Sequence, residues 1–166
     1  MLISETYKAL NRQLHSEGRY GVSGSKWAEH VRKLSQSMAT RDILDYGCGT
    51  RTLEQSLGFP IHNYDPCIQG LDSVPNPAQI VICTDVLEHI EPDCVDAVLD
   101  DLQRCVVGVG FFVIASGPAI KTLPDGRNAH LIQEGPRWWL PKLCQRFDVV
   151  NVASLAGEFI VVVRPV

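Results

Sequence analysis

The chain has 166 residues, 45% of them apolar and 20% charged, enough for one domain with a buried core. No apolar run approaches the ~20 residues of a membrane span, and MLISETYKALNRQ lacks the basic and apolar blocks of a signal peptide, so the chain reads as cytosolic. A net charge of −4 disfavours tight non-specific binding to nucleic acid.

The first forty residues pattern as helices. Tyr7, Leu10 and Leu14 share one helical face, and Trp27, Val31, Leu34 and Met38 share another, with Ser25 as its expected cap. Gly18-Arg19-Tyr20-Gly21-Val22-Ser23-Gly24 is a glycine-rich loop between them. Ile43 to Tyr46 reads as a short buried strand, Gly47 to Thr50 as a tight turn, and Arg51 to Leu57 as a helix stopped by Gly58. Ile61 to Tyr64 is a second strand, ending at Asp65-Pro66. Gln79 to Thr84 is β-branched and apolar on both faces, as in the middle of a parallel sheet.

A helix follows, with Pro92 near its first turn and the stripe Val95, Val98, Leu99, Leu102 and Val106. Val109 to Ala115 is another buried strand, and 116–135 a long loop. Trp138 to Arg146 reads as a helix broken or restarted at Pro141. Phe147 to Val152 and Phe159 to Val163 pair around Ala156-Gly157 as an antiparallel hairpin. The alternation predicts an α/β fold: a doubly wound, mostly parallel sheet with a C-terminal antiparallel hairpin and helices on both faces. Residues 1–40 are expected to cap residues 41–166 within the same domain.

None of the six cysteines forms a CxxC pair, so they read as reduced core thiols. Residues 1–115 carry 9 basic and 15 acidic side chains, whereas 116–166 carry 6 and 4. Arg127, Arg137, Lys142 and Arg146 can therefore flank an anionic substrate, or simply be scattered solvated charge.

Asp45-Tyr46-Gly47-Cys48-Gly49-Thr50 sits where a strand turns into a helix. Two glycines there let backbone approach a ligand, and a helix start offers unpaired N–H groups. Asp65 lies 16 residues past Gly49, at the next strand's end, where a carboxylate can accept both hydroxyls of a ribose. A dinucleotide fingerprint would place a third glycine at position 52; Thr52 stands there, which disfavours NAD.

ILDYGCGTRTLEQSL resembles the first motif of class I S-adenosylmethionine-dependent methyltransferases, NYDP their acidic second motif, and VICTDVLEHIEPD the segment around their fourth strand. YGVSG and LPDGRNAHL resemble compact methyltransferase-like proteins of phages and bacteria, a likeness that names no substrate. The resemblance implies S-adenosylmethionine as cofactor for the 41–166 core. By it, Gly47 and Gly49 would lie against the methionine part, Asp65 would hold the ribose, Asp45 would orient the loop, and Asp85 would edge the amino end. Tyr20 would close over the cofactor, or pack in the core. Only about fifteen residues separate Asp65 from Val81, where the family fits a third strand between two helices. Gly70-Leu71-Asp72 would be its remnant, with Asp72 near the adenine.

Methyl transfer is a direct displacement, so the acceptor must be aligned, kept dry and relieved of any proton. His89, Glu88 and His130 are the candidate catalytic residues, and Trp138-Trp139 a candidate apolar lid, one of the pair being core. A histidine at 89 serves equally to cap or pack the next helix. No metal is required by this reading. Asp85, Glu88, His89 and His130 nevertheless resemble the metal site of small-RNA 3′-terminal ribose methyltransferases. The expected activity is methyl transfer to an oxygen or nitrogen of a small molecule. The alternatives are metal-dependent RNA ribose methylation and a non-catalytic cofactor-binding partner subunit.

Overall fold

The apolar runs form the middle of a six-stranded sheet in the computed structural model, which describes residues 1–16 and 21–166. In chain order the elements are α1 (Glu5–Ser16), α2 (Ala28–Ser37), β1 (Ile43–Tyr46), α3 (Thr52–Leu57), β2 (His62–Tyr64), β3 (Ala78–Thr84), α4 (Val95–Cys105), β4 (Val106–Ala115), α5 (Pro136–Cys144), β5 (Phe147–Ser154) and β6 (Glu158–Pro165). The sheet order is β2-β1-β3-β4-β6-β5. β1 to β4 pair in parallel, and β6 runs antiparallel to both β4 and β5, as the fold reading expects.

Alternate residues of the central strands face opposite layers, because side chains along a strand alternate between its faces. Ile43, Ile80, Ile82, Phe111 and Val113 pack with Val31 of α2 and Leu53 of α3. Leu44, Val81, Cys83, Phe112 and Ile114 pack with Leu99 and Leu102 of α4 and with Trp139 and Leu143 of α5. Each fully buried aliphatic or aromatic side chain contributes about 1.5–3 kcal/mol, so the two layers pin the register of β1, β3 and β4. Among the described residues no helix is long and apolar enough to cross a membrane.

Several local expectations change. Gly70-Leu71-Asp72 is not a strand, and β2 is the sheet edge. Residues 65–77 bond to themselves: Asp65 N–H donates to Leu71 O, and Leu71 N–H to Ile68 O. Pro66, Pro75 and Pro77 also remove ladder donors from the stretch. Ser25 lies inside a 3-10 turn (Ser23–Trp27) and does not cap α2; its N–H bonds the Thr52 hydroxyl. Val106 begins β4 rather than ending α4. α5 starts at Pro136 and runs unbroken through Pro141. Pro141 removes only the donor for the Arg137 carbonyl, and both residues are exposed, so water replaces the bond.

α1 lies across the C-terminal ends of the strands. The Tyr7 hydroxyl donates to the His89 carbonyl at 2.5 Å, and the Ser4 N–H and hydroxyl donate to Glu91 at 2.8 and 2.7 Å. Tyr7, Leu14 and Leu123 form a small core of their own under this helix.

Candidate functional site

β1 and β2 pair with Tyr46 opposite Tyr64, so Gly47 and Asp65 leave the sheet side by side. Gly47 and Cys48 N–H both donate to the Tyr64 carbonyl, at 2.7 and 3.0 Å. The Asp65 carboxylate accepts Gly49 N–H on Oδ2 at 3.1 Å and Cys67 N–H on Oδ1 at 2.9 Å. Thr50 N–H bonds Gly21 O, and Arg51 N–H bonds Cys48 O. Residues 47–51, which lead into α3, spend their N–H groups within the protein. α3 has six residues and is entered through Arg51 at φ +60°.

The glycines serve close approach of chain to chain. A Cβ on Gly47, at φ +83°, would sit 2.3 Å from Val86 Cγ2. A Cβ on Gly49, at φ +50°, would sit 2.4 Å from the Gly21 carbonyl oxygen, which is backbone and cannot rotate away. Gly49→Ala is therefore expected to push the 21–25 segment off the bend and cost about 2–4 kcal/mol in strain and overpacking. Denaturant unfolding checks this, and an unchanged midpoint contradicts it.

A cavity of about 580 Å³ opens where the chain order reverses between β1 and β3, the usual ligand crevice of such sheets. Of the predicted residues, Gly47, Gly49, Asp65, Asp85, His89 and His130 line it. Asp45 and Glu88 are buried and do not line it. Asp72 lines an adjoining groove instead, 3.7 Å from Lys8 Nζ and bonded to Gly70 N–H. Tyr20 lies outside the described residues. Tyr7, Asn11, His15 and Lys121 also line the cavity, and sequence reading missed them. His15 Nε2 stands 4.0 Å from Asp65 Oδ2.

At the other end, two histidines converge. A carbonyl only accepts, so His89 Nδ1–H donates to Ala129 O at 2.7 Å and His130 Nδ1–H to Gly117 O at 2.6 Å. The lone pairs are thereby assigned to Nε2. The rings meet edge to face, with centroids 4.7 Å apart. Burial, then His130, holds His89 down to about 4, so it is neutral at physiological pH. Glu88 is fully buried and accepts Ala115 N–H at 3.0 Å; burial lifts its carboxyl to about 8. Glu88, His89 and His130 bring ligand atoms within 4.8 Å of one another. Asp85 stays outside that group, at a left-handed φ of +54°.

A profile of the methyltransferase-domain family matches residues 19–159. The chain belongs to this family. No curated protein matches its sequence. The fold resembles the 1,6-didemethyltoxoflavin N1-methyltransferase of Burkholderia thailandensis, solved with 1,6-didemethyltoxoflavin and S-adenosylhomocysteine, with TM-score 0.67 and 14% identity over 99% of this chain and 91% of that one. It resembles DhpI, solved with S-adenosylhomocysteine, with TM-score 0.65 and 19% identity over 97% and 96%. It also resembles the magnesium protoporphyrin IX methyltransferase of Synechocystis, solved with S-adenosylhomocysteine, with TM-score 0.60 and 17% identity over 86% and 84%. The resemblance to class I S-adenosylmethionine-dependent methyltransferases is borne out in family and fold.

In this methyltransferase domain the tryptophan lid and the basic flank of the substrate are not seen at the cavity, whereas the core tryptophan and the free thiols are as expected. Trp139 is core, Trp138 packs against that core under Lys142, and neither lines the cavity as a lid. The basic side chains do not reach the cavity either: Arg127 pairs with Asp125, and Arg146 with Asp96 and Asp100. The six cysteines are free thiols, and all but Cys144 are buried.

Burial, with Asp65 and Glu54 nearby, pushes the Asp45 carboxyl up to about 7. A carboxyl raised on folding stabilises the fold fully below its unfolded value of about 4. That contribution is lost as pH rises to about 7. Asp45→Asn is therefore expected to lose less thermal stability than wild type between about pH 4.5 and 7.5. His89 acts with the opposite sign but is common to both chains. Parallel melting-temperature profiles contradict the assignment.

Proposed function

We propose that this domain transfers a methyl group from S-adenosylmethionine to an oxygen or nitrogen of a small molecule. The observation that carries this is one continuous cavity: Asp65 and the Gly47–Gly49 bend line one part, His89 and His130 another. The residues fit the cofactor. Asp65 is buried and each carboxylate oxygen accepts one N–H, which leaves lone pairs for two ribose hydroxyls. Gly47 and Gly49 keep the wall free of side chains where the methionine part would lie. Asp85 lines the same cavity past β3, which supports a role at the amino group.

S-Adenosylmethionine supplies an electrophilic methyl on a sulfonium. The chain aligns the acceptor, excludes water and helps its proton leave. Leu2 and Ile3 line the cavity beside Tyr7 and Asn11 of α1, so this N-terminal segment dries and covers it. His89, His130 and Glu88 act at the acceptor end. A small-molecule acceptor is supported by a concave cavity of about 580 Å³, the acidic net charge, and the small-molecule methyltransferase solved with its substrate. Incubation with methyl-labelled cofactor and separate pools of metabolites and RNA tests this. Label in small molecules supports it. Label in RNA alone, or tight cofactor binding without transfer to any pool, contradicts it.

A further inference from the structure

The 116–135 loop has a property that rests on the proposed function and narrows its substrate class. Ile120 lines the cavity and is fully exposed. Isolated exposed isoleucines are ordinary on protein surfaces, but this one is held in place. The Asn128 amide takes both backbone groups of Ala119, accepting its N–H at 2.9 Å and donating to its carbonyl at 2.8 Å. The Lys121 carbonyl accepts Ala129 N–H at 3.0 Å, Thr122 pairs with Asn128, and His130 binds the Gly117 carbonyl. The backbone on each side of Ile120 is thus pinned, and its bare side chain is offered at the cavity's lip.

The N-terminal segment brings two more apolar side chains. Ser4 spends its N–H and its hydroxyl on Glu91, which fixes Leu2 and Ile3 at the cavity. Leu123 and Leu131 of the loop pack in one small core with Tyr7 and Ile3, so the loop and the segment meet on that side. The charges of the cavity do not suit an anion. Asp65, Asp85 and Glu91 line it against one lysine, Lys121, among the described residues. Lys121 acts toward the cofactor end. Burial, opposed by Asp65 4.0 Å away and then reinforced by the Lys121 charge, holds His15 below its ordinary pKa.

We propose that the methyl acceptor is an uncharged molecule with a hydrocarbon-rich body, and that Ile120, with Leu2 and Ile3, is the surface that selects it. The bound acceptor covers Ile120 and takes its apolar area out of water, while the acceptor's polar atom is left to His130. A phosphorylated or carboxylated acceptor would bring its charge against apolar side chains and beside Asp85 and Glu91, and is rejected. Nucleotides and sugar phosphates are thereby set aside as acceptors.

The test uses the whole chain saturated with S-adenosylhomocysteine. 2-Naphthol and indole are the uncharged probes, and 2-naphthyl phosphate is the anionic one. Calorimetry is expected to show saturable binding of one equivalent of an uncharged probe, with the phosphate at least about tenfold weaker. Ile120→Ala and Ile120→Asp are each expected to weaken the uncharged probe by about tenfold, as the loss of most of one isoleucine's burial implies. Affinity for S-adenosylhomocysteine is expected to stay within about threefold in both variants. Ile120 is fully exposed, so neither substitution disturbs the core. Failure of both uncharged probes to bind, a phosphate that binds as tightly as 2-naphthol, or Ile120 variants that bind like the parent overturns the proposal alone. A parent chain that does not bind S-adenosylhomocysteine overturns the methyltransferase reading beneath it.

Discussion

Asp65→Ala is expected to weaken S-adenosylhomocysteine binding well beyond tenfold. A hydrogen bond to a charged group contributes about 1.5–3 kcal/mol, and each 1.4 kcal/mol is about tenfold in affinity, so losing two ribose contacts has a large effect. Asp65 also holds the N–H groups of Gly49 and Cys67. The alanine variant strands both and loosens the bend, so its affinity is to be measured well below its melting temperature. Asp65→Asn keeps an acceptor oxygen and the side-chain volume, and is expected to fall between the two. An alanine variant with wild-type calorimetric affinity contradicts the ribose assignment.

His130→Ala is expected to lower turnover by about a hundredfold or more, in the range of a lost acid–base contribution, while cofactor affinity stays within about threefold. The geometry explains the split. His130 meets His89 at one end of the cavity, whereas Asp65 and the glycine bend occupy another. Its ring does anchor the 116–135 loop through the Gly117 carbonyl. Equal losses in turnover and affinity would make that anchoring its whole role.

The sheet was legible because its central strands are unusually uniform. Ile80 to Thr84 and Val109 to Ile114 are buried on both faces, and only the middle of a parallel sheet accepts such runs. What misled were a proline and short polar signals. Pro141 read as a break, yet it sits on an exposed turn of α5, where it costs no buried hydrogen bond. Gly70-Leu71-Asp72 sat where a strand was wanted, but its hydrogen bonds are local. At the site, Gly47, Gly49, Asp65 and Asp85 were visible because each follows a strand directly.

The meeting of His130 with Glu88 and His89 was only half visible. Position 130 is in a long loop, and its place is set by contacts that no periodicity reports. The Asn128 side chain braces Ala119 and the His130 N–H, and the Ala129 carbonyl binds His89. Tyr7 and His15 stayed hidden for another reason. On a helix whose buried face also carries Leu14, a residue lining a cavity looks the same as one filling a core.

The central claim is that a carboxylate and a bare backbone bend at neighbouring strand ends hold a nucleoside. Calorimetric titration of S-adenosylhomocysteine into the folded wild-type chain addresses it most directly. Saturable binding of one equivalent, weakened by Asp65→Ala, is the predicted result. Absence of heat with a chain shown by circular dichroism to be folded would contradict the claim and remove the assigned roles of His89 and His130 with it.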